Sequence, residues 1–128
     1  MTRFAKSCKQ ETPLVVHGDG NQSRDFVNVC DVVQALVRSA ESEKADGEVF
    51  NIGFGEPTSI NELAKTFLEL SGLDLKISNE AAREGDIRQS YADTSKAKLL
   101  LGYTPKVCLR KGLYNLLFEK SICLECRS

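Results

Sequence analysis

Tryptophan is absent from the 128 residues, and methionine and histidine occur once each. With His17 as the sole histidine, no catalytic or metal-ligating arrangement can draw on a second imidazole, and His17 itself reads as a packed strand residue. An excess of one charge is missing too: 17 Lys and Arg stand against 18 Asp and Glu, a net charge of -1. No overall positive field exists to gather nucleic acid or anionic lipid, which removes both from the expected partners. Long apolar runs are also lacking. Stretches such as Leu99 to Leu101 fall far short of the ~20 residues that cross a bilayer. The first residues mix charge into every turn and have no apolar centre of the kind a signal peptide carries, so the expected compartment is the cytoplasm. Five cysteines, an odd number, argue for free thiols over a disulfide framework. Cys123-Leu124-Glu125-Cys126 has knuckle spacing, but no second pair completes a tetrahedral zinc set, so the thiols read as free and metal is not expected.

What is present fits one domain of mixed helix and strand. Residues 3 to 11 have helical spacing of Phe4, Ala5 and Cys8, and Pro13 stops them. A strand is expected at Leu14 to His17, a dense turn at Gly18 to Ser23, and a second strand at Asp25 to Val29. Asp31 reads as the N-cap of a helix bearing Val33, Leu36, Val37 and Ala40, and Glu48 to Ile52 as the next strand. Ser59 and Glu62 form a capping box ahead of the stripe Ile60, Leu63, Ala64, Phe67 and Leu68, which Gly72 ends. Leu75 to Ser78 reads as a short strand, residues 79 to 92 as an exposed charged loop, Ser95 to Leu101 as a helix closed by Gly102, and Leu109 as the start of a last helix with Leu113, Leu116 and Leu117 inward.

Two glycine turns invite a nucleotide-binding reading, yet neither completes G-x-G-x-x-G: Ser23 and Thr58 stand where the third glycine belongs. The second, Gly53-Phe54-Gly55, sits between a strand and a helix, so it reads either as a plain turn or as a set of N–H groups open to an anion. Glu56 and Glu62 beside it favour the plain turn.

Three ordered segments, GDGNQSRDFVNVCDVVQALV, EVFNIGFGEPTSINELA and REGDIRQSYADTSKAKLLLGYTP, resemble the C-terminal part of nucleotide-sugar epimerases and dehydratases. These are the extended short-chain dehydrogenase/reductases, and UDP-glucose 4-epimerase is the member most resembled. The resemblance implies an α/β fold that is the substrate-binding part of such an enzyme, over residues 1–118, without the N-terminal dinucleotide-binding Rossmann half; residues 119–128 form a tail without resemblance. It also implies that Arg24, of the Q-x-R-D motif, and Arg83, of the R-x-G-D motif, hold the diphosphate of a nucleotide sugar, most naturally a UDP-hexose. Asp86 would then accept hydrogen bonds from ribose hydroxyls. A guanidinium suits this role because its paired donors match phosphate oxygens, and an ionised carboxylate, being acceptor-only, suits a diol. On residue type alone, Arg24 reads as an ordinary strand-start arginine paired to a carboxylate, and Arg83 and Asp86 as solvated surface; the motif spacing turns all three toward the ligand. Asp25 and Asp93 read as braces for backbone, and Arg88 as surface.

The family's catalysis requires a glycine fingerprint for NAD and a Tyr-x-x-x-Lys pair. The three tyrosines, Tyr91, Tyr103 and Tyr114, are followed at that spacing by Ser95, Val107 and Phe118, so no catalytic residue and no cofactor site is assigned within these residues. NAD belongs to the complete family enzyme. Three functions therefore stand open: the substrate-binding part of an enzyme, a free-standing nucleotide-sugar binding module, or a remnant that binds nothing. The helix from Asp31 and the segment near Val49 are expected to expose apolar surface, to be covered by self-association or by an N-terminal half supplied by another chain.

Overall fold

The computed structural model describes residues 1–118. The expectations for the tail, Cys123 and Cys126 lie outside the described residues. In chain order the elements are α1 (Thr2–Lys9), β1 (Leu14–His17), β2 (Ser23–Asp25), α2 (Val29–Glu41), β3 (Pro57–Ser59), α3 (Ile60–Ser71), β4 (Ile77–Glu80), β5 (Gln89–Ser90), α4 (Ser95–Leu101) and α5 (Leu109–Leu117), with one 3-10 turn at Glu43–Ala45.

Alternation makes β1: Leu14 and Val16 are buried while Val15 and His17 are half-exposed. It pairs in parallel with β4, Leu14 opposite Ile77 and His17 opposite Glu80. A second small sheet has the order β3-β2-β5, with Arg24 opposite Thr58 on its antiparallel side and Ser90 on its parallel side. Helix α3 starts where the capping box places it: the Glu62 N–H donates to Ser59 Oγ and the Ser59 N–H to the Glu62 carboxylate. It stops at Gly72, whose φ of 68° is the left-handed conformation a Cβ disfavours.

The larger core joins α1, β1, α3 and α5 through Phe4, Ala5, Cys8, Leu14, Val16, Leu63, Ala64, Phe67 and Leu113. Phe4 meets Phe67 edge to face, with ring centroids 5.8 Å apart. Burial of each large side chain here contributes ~1.5–3 kcal/mol relative to leaving it in water. A second cluster, Ala35, Ala97, Leu101 and Tyr103, seats α2 on α4, and Phe50 and Ile52 pack against it.

Several boundaries differ from the sequence reading. Glu48 to Ile52 is not a strand: it has no ladder partner among the described residues, and Val49 is 80% exposed. The strand expected at Asp25 to Val29 is confined to Ser23–Asp25, because Asn28 caps α2 by accepting from the Cys30 N–H. Asp31 is therefore no cap. It lies buried in the first turn of α2, where its carboxylate accepts the Lys106 and Val107 N–H groups. The strand expected at Leu75 to Ser78 runs two residues later, and the loop expected over residues 79–92 includes the end of β4 and all of β5.

The outer face of α2 carries Val29, Val33, Leu36 and Val37 at helical spacing, all largely in solvent. This is the apolar surface the sequence leads one to expect, and Val49 adds to it. No helix of the described residues is long and apolar enough to cross a membrane.

Candidate functional site

The carboxyl ends of the parallel pair β1 and β4 carry the site. His17 ends one strand and Glu80 the other, and the segments that follow supply the charged side chains. After β1 the chain turns at Gly18 to Gln22 and enters β2 with Arg24. That turn is tied down on each side: Gln22 Nε2 donates to the His17 carbonyl at 2.8 Å, Asn61 Nδ2 to that of Asp19 at 2.9 Å and Asn79 Nδ2 to that of Gly18 at 2.9 Å. Gly20 combines a φ of +72° with the Asn61 amide lying where a Cβ would project, so a side chain there would be strained and would displace Asn61.

After β4, the loop 81–88 brings Asp86 onto Arg24. Arg24 Nη2 donates to Asp86 Oδ1 at 2.6 Å, while Nη1 donates to the carbonyls of Ser23 at 2.8 Å and Ile87. Three of the five guanidinium N–H donors are thereby used, and two are left. Arg83 reaches across to His17, its Nη2 3.0 Å from Nε2 of the imidazole. Arg3, from α1, approaches the same nitrogen at 3.4 Å.

Arg3, His17, Arg24, Arg83 and Asp86 line one cleft of about 250 Å³. The structure thus brings all three sequence-selected residues, Arg24, Arg83 and Asp86, to one place. Asp86 sits directly on Arg24. Arg24 also borders a neighbouring cleft of about 370 Å³ with Asp25, Gly53 and Tyr91. His17 and Arg3 are the residues that sequence reasoning missed as cleft residues. The available signal was the position of His17 as the last residue of an alternating strand, directly before a glycine turn. Nothing in the periodicity of α1 marks Arg3.

The second glycine turn is closed to anions. The Phe54 and Gly55 N–H groups donate to the Asp25 carboxylate at 2.8 and 3.0 Å, and the Ala92 N–H reaches it at 3.2 Å. A phosphate would have to displace a carboxylate that already fills these donors, so the plain turn is the correct alternative. Asp25 and Asp93 are braces, as expected: Asp93 accepts the Ser95 N–H at 2.9 Å, and hydrogen bonding from the Ser95 side chain and then its backbone holds the Asp93 carboxyl below the usual range. Arg88 pairs with Asp19 at 3.0 Å on the surface.

The Tyr103 hydroxyl donates to the Gly53 carbonyl at 2.9 Å, fastening the turn to the second core cluster. Burial, with the charges of Asp31 and Asp25, pushes this phenol up to about 12. Among the described residues, no group of three or more His, Cys, Asp or Glu side chains could hold a metal ion.

The family model described as GDP-mannose 4,6 dehydratase matches residues 1–116. The chain belongs to this family. Within the wider relationship, it is 38% identical over 113 residues to UDP-glucuronic acid decarboxylase 4 of Arabidopsis thaliana, covering 88% of this chain and 25% of that protein. The structure of UDP-glucose 4-epimerase from Thermotoga maritima with UDP-glucose superposes with a TM-score of 0.83 at 38% identity, over 91% of this chain and 38% of the epimerase. UDP-glucuronic acid 4-epimerase from Bacillus cereus, in complex with UDP-glucuronic acid and NAD, gives a TM-score of 0.83 at 35% identity, again over 91% and 38%. The chain therefore spans roughly a quarter to two fifths of the relatives it matches. The likeness to nucleotide-sugar epimerases and dehydratases drawn from the three sequence segments is borne out, as is the mixed α/β fold.

Proposed function

We propose that residues 1–118 are the nucleotide-sugar-binding part of an NAD-dependent epimerase or dehydratase most like UDP-glucose 4-epimerase, acting in the cytoplasm. Arg24 and Arg83 hold the diphosphate of a UDP-hexose, and Asp86 accepts from the ribose hydroxyls. The observation that carries this reading is that both guanidinium groups, supplied by segments distant in sequence, border one cleft at the ends of a parallel strand pair. Ligands of open α/β folds gather at such strand ends. Arg83 is the readier of the two cations, since its partner is an imidazole nitrogen, whereas Arg24 already faces a carboxylate.

Hydride transfer needs a cofactor and an acid/base pair, and the 128 residues hold neither a glycine fingerprint nor Tyr-x-x-x-Lys. In this proposal those parts come from a cofactor-binding half that packs on the apolar face of α2 and on Val49, so the chain binds substrate and is not catalytically complete by itself. Calorimetry with UDP-glucose tests the binding role. Saturable binding is expected, weakened roughly ten- to a hundredfold by Arg24→Ala or by Arg83→Ala. Absence of heat with UDP-glucose and with dTDP-glucose would overturn it.

A further inference from the structure

The arginines about the cleft fall into two kinds. Arg24 is answered by Asp86 at 2.6 Å and Arg88, at the rim, by Asp19 at 3.0 Å. Arg3 and Arg83 have no carboxylate within 4.0 Å among the described residues. Yet these two, one from α1 and one from the loop after β4, are brought to the same atom: Arg3 Nη1 lies 3.4 Å and Arg83 Nη2 3.0 Å from Nε2 of His17. Glu80 approaches the ring at its other nitrogen, 3.7 Å from Nδ1. Two guanidinium groups therefore stand within a few ångström of each other at one edge of the imidazole, with no acid of the described residues between them.

Helix α1 gives no reason for the charge of Arg3. Its first turn holds no acidic residue, and its N-cap, Met1, makes no side-chain hydrogen bond. The amino end of a helix carries a partial positive charge, so Arg3 is set against the dipole, whereas Lys6 and Lys9 lie in the last turn, where the dipole favours them. Phe4, Ile60 and Leu63 line the same cleft with apolar surface, which strengthens charge interactions beside it. An anion between Arg3 and Arg83 would turn their mutual repulsion into two attractions. Resting on the proposed diphosphate site, we propose that Arg3 is a third cationic contact of that site, and that Arg3 and Arg83 together hold one phosphate of the diphosphate while Arg24 holds the other. Each guanidinium presents paired N–H donors, so two of them grip the anionic oxygens of one phosphate from two directions.

The experiment is calorimetry with UDP-glucose on the 128-residue chain, wild type and Arg3→Ala, at low and at high salt. Arg3 is exposed and alanine is the best helix former, so the variant keeps α1. Arg3→Ala should bind about five- to tenfold more weakly at ~20 mM salt, and the deficit should shrink to about twofold at ~500 mM, because salt screens charge contacts in an open cleft. Urea unfolding without ligand should give Arg3→Ala a midpoint at or above that of wild type, since Arg83 loses a like-charged neighbour. Binding as tight as wild type overturns this inference and leaves the binding role intact. So does a deficit that salt leaves unchanged, which would put Arg3 on an uncharged part of the ligand, and so does a lowered urea midpoint, which would assign Arg3 to the fold. Failure of UDP-glucose to bind wild type at either salt concentration overturns both.

Discussion

Arg24 and Asp86, 62 positions apart in the chain, meet through a 2.6 Å hydrogen bond from Nη2 to Oδ1 at the rim of the cleft. The pair is about one-third exposed, so its own contribution to stability is small, ~1 kcal/mol or less. Its consequence is for anions. Asp86 lends the cleft a negative charge directly beside one of the cations meant to hold phosphate.

Replacing Asp86 by alanine should therefore act differently on two ligands. Inorganic pyrophosphate, which has no ribose, gains a freed Arg24 and should bind several-fold more tightly, by ~0.5–1 kcal/mol. UDP-glucose loses its diol acceptor and should gain less or weaken. Calorimetry with both ligands reads the difference, and equal changes for the two would remove Asp86 from any contact with ribose.

Tyr103→Phe should cost about 1–2 kcal/mol in chemical denaturation, because the Gly53 carbonyl loses its donor inside the fold. The phenol also gives a pH signature. Its value is raised from 10.0 to about 12 in the folded state, so its stabilisation is full below pH 10 and is lost as pH rises toward 12. Wild type should lose stability across that window more steeply than the phenylalanine variant. Parallel slopes would show that the hydroxyl is not held neutral by the fold.

Gly53→Ala should be among the most damaging single changes. An added Cβ would strike the Asp25 carboxylate and lie 2.7 Å from Cβ of Ala92. Neither can give way cheaply, since Asp25 gathers the N–H groups of Phe54, Gly55 and Ala92. A loss of about 2–4 kcal/mol in urea unfolding is expected, with UDP-glucose affinity falling as well, because Arg24 is the neighbour of Asp25.

The outer face of α2 should tolerate charge. Val33→Glu combined with Leu36→Glu removes two exposed apolar side chains and should shift stability by no more than about 0.5 kcal/mol. Binding of a hydrophobic dye should fall markedly. A large loss of stability would instead mean that these side chains are buried in solution.

Local chemistry was legible wherever a residue decided its own neighbourhood. The Ser59 and Glu62 capping box, the Gly72 and Gly102 stops, and the Leu14 and Val16 alternation all appear where the sequence puts them. Arg24, Arg83 and Asp86 were legible through motif spacing, which carries more than residue type does. What failed depended on partners. Glu48 to Ile52 has the composition of a strand, but a strand exists only beside another. Asp31 has the chemistry of a cap, but Asn28 reached the free N–H first and left Asp31 to the backbone of residues 106 and 107. Arg3 and His17 were invisible because they meet only once α1 is folded against the end of β1.

Both cation-bearing segments hang from the finish of a four-residue ladder whose other attachments lie behind it. Apart from Arg83 and Asp86, the exposed side chains from Ala81 to Arg88 are thus open to change without disturbing the hydrophobic interior. On the proposed binding role, changes confined to those positions would retune which nucleotide sugar the scaffold favours.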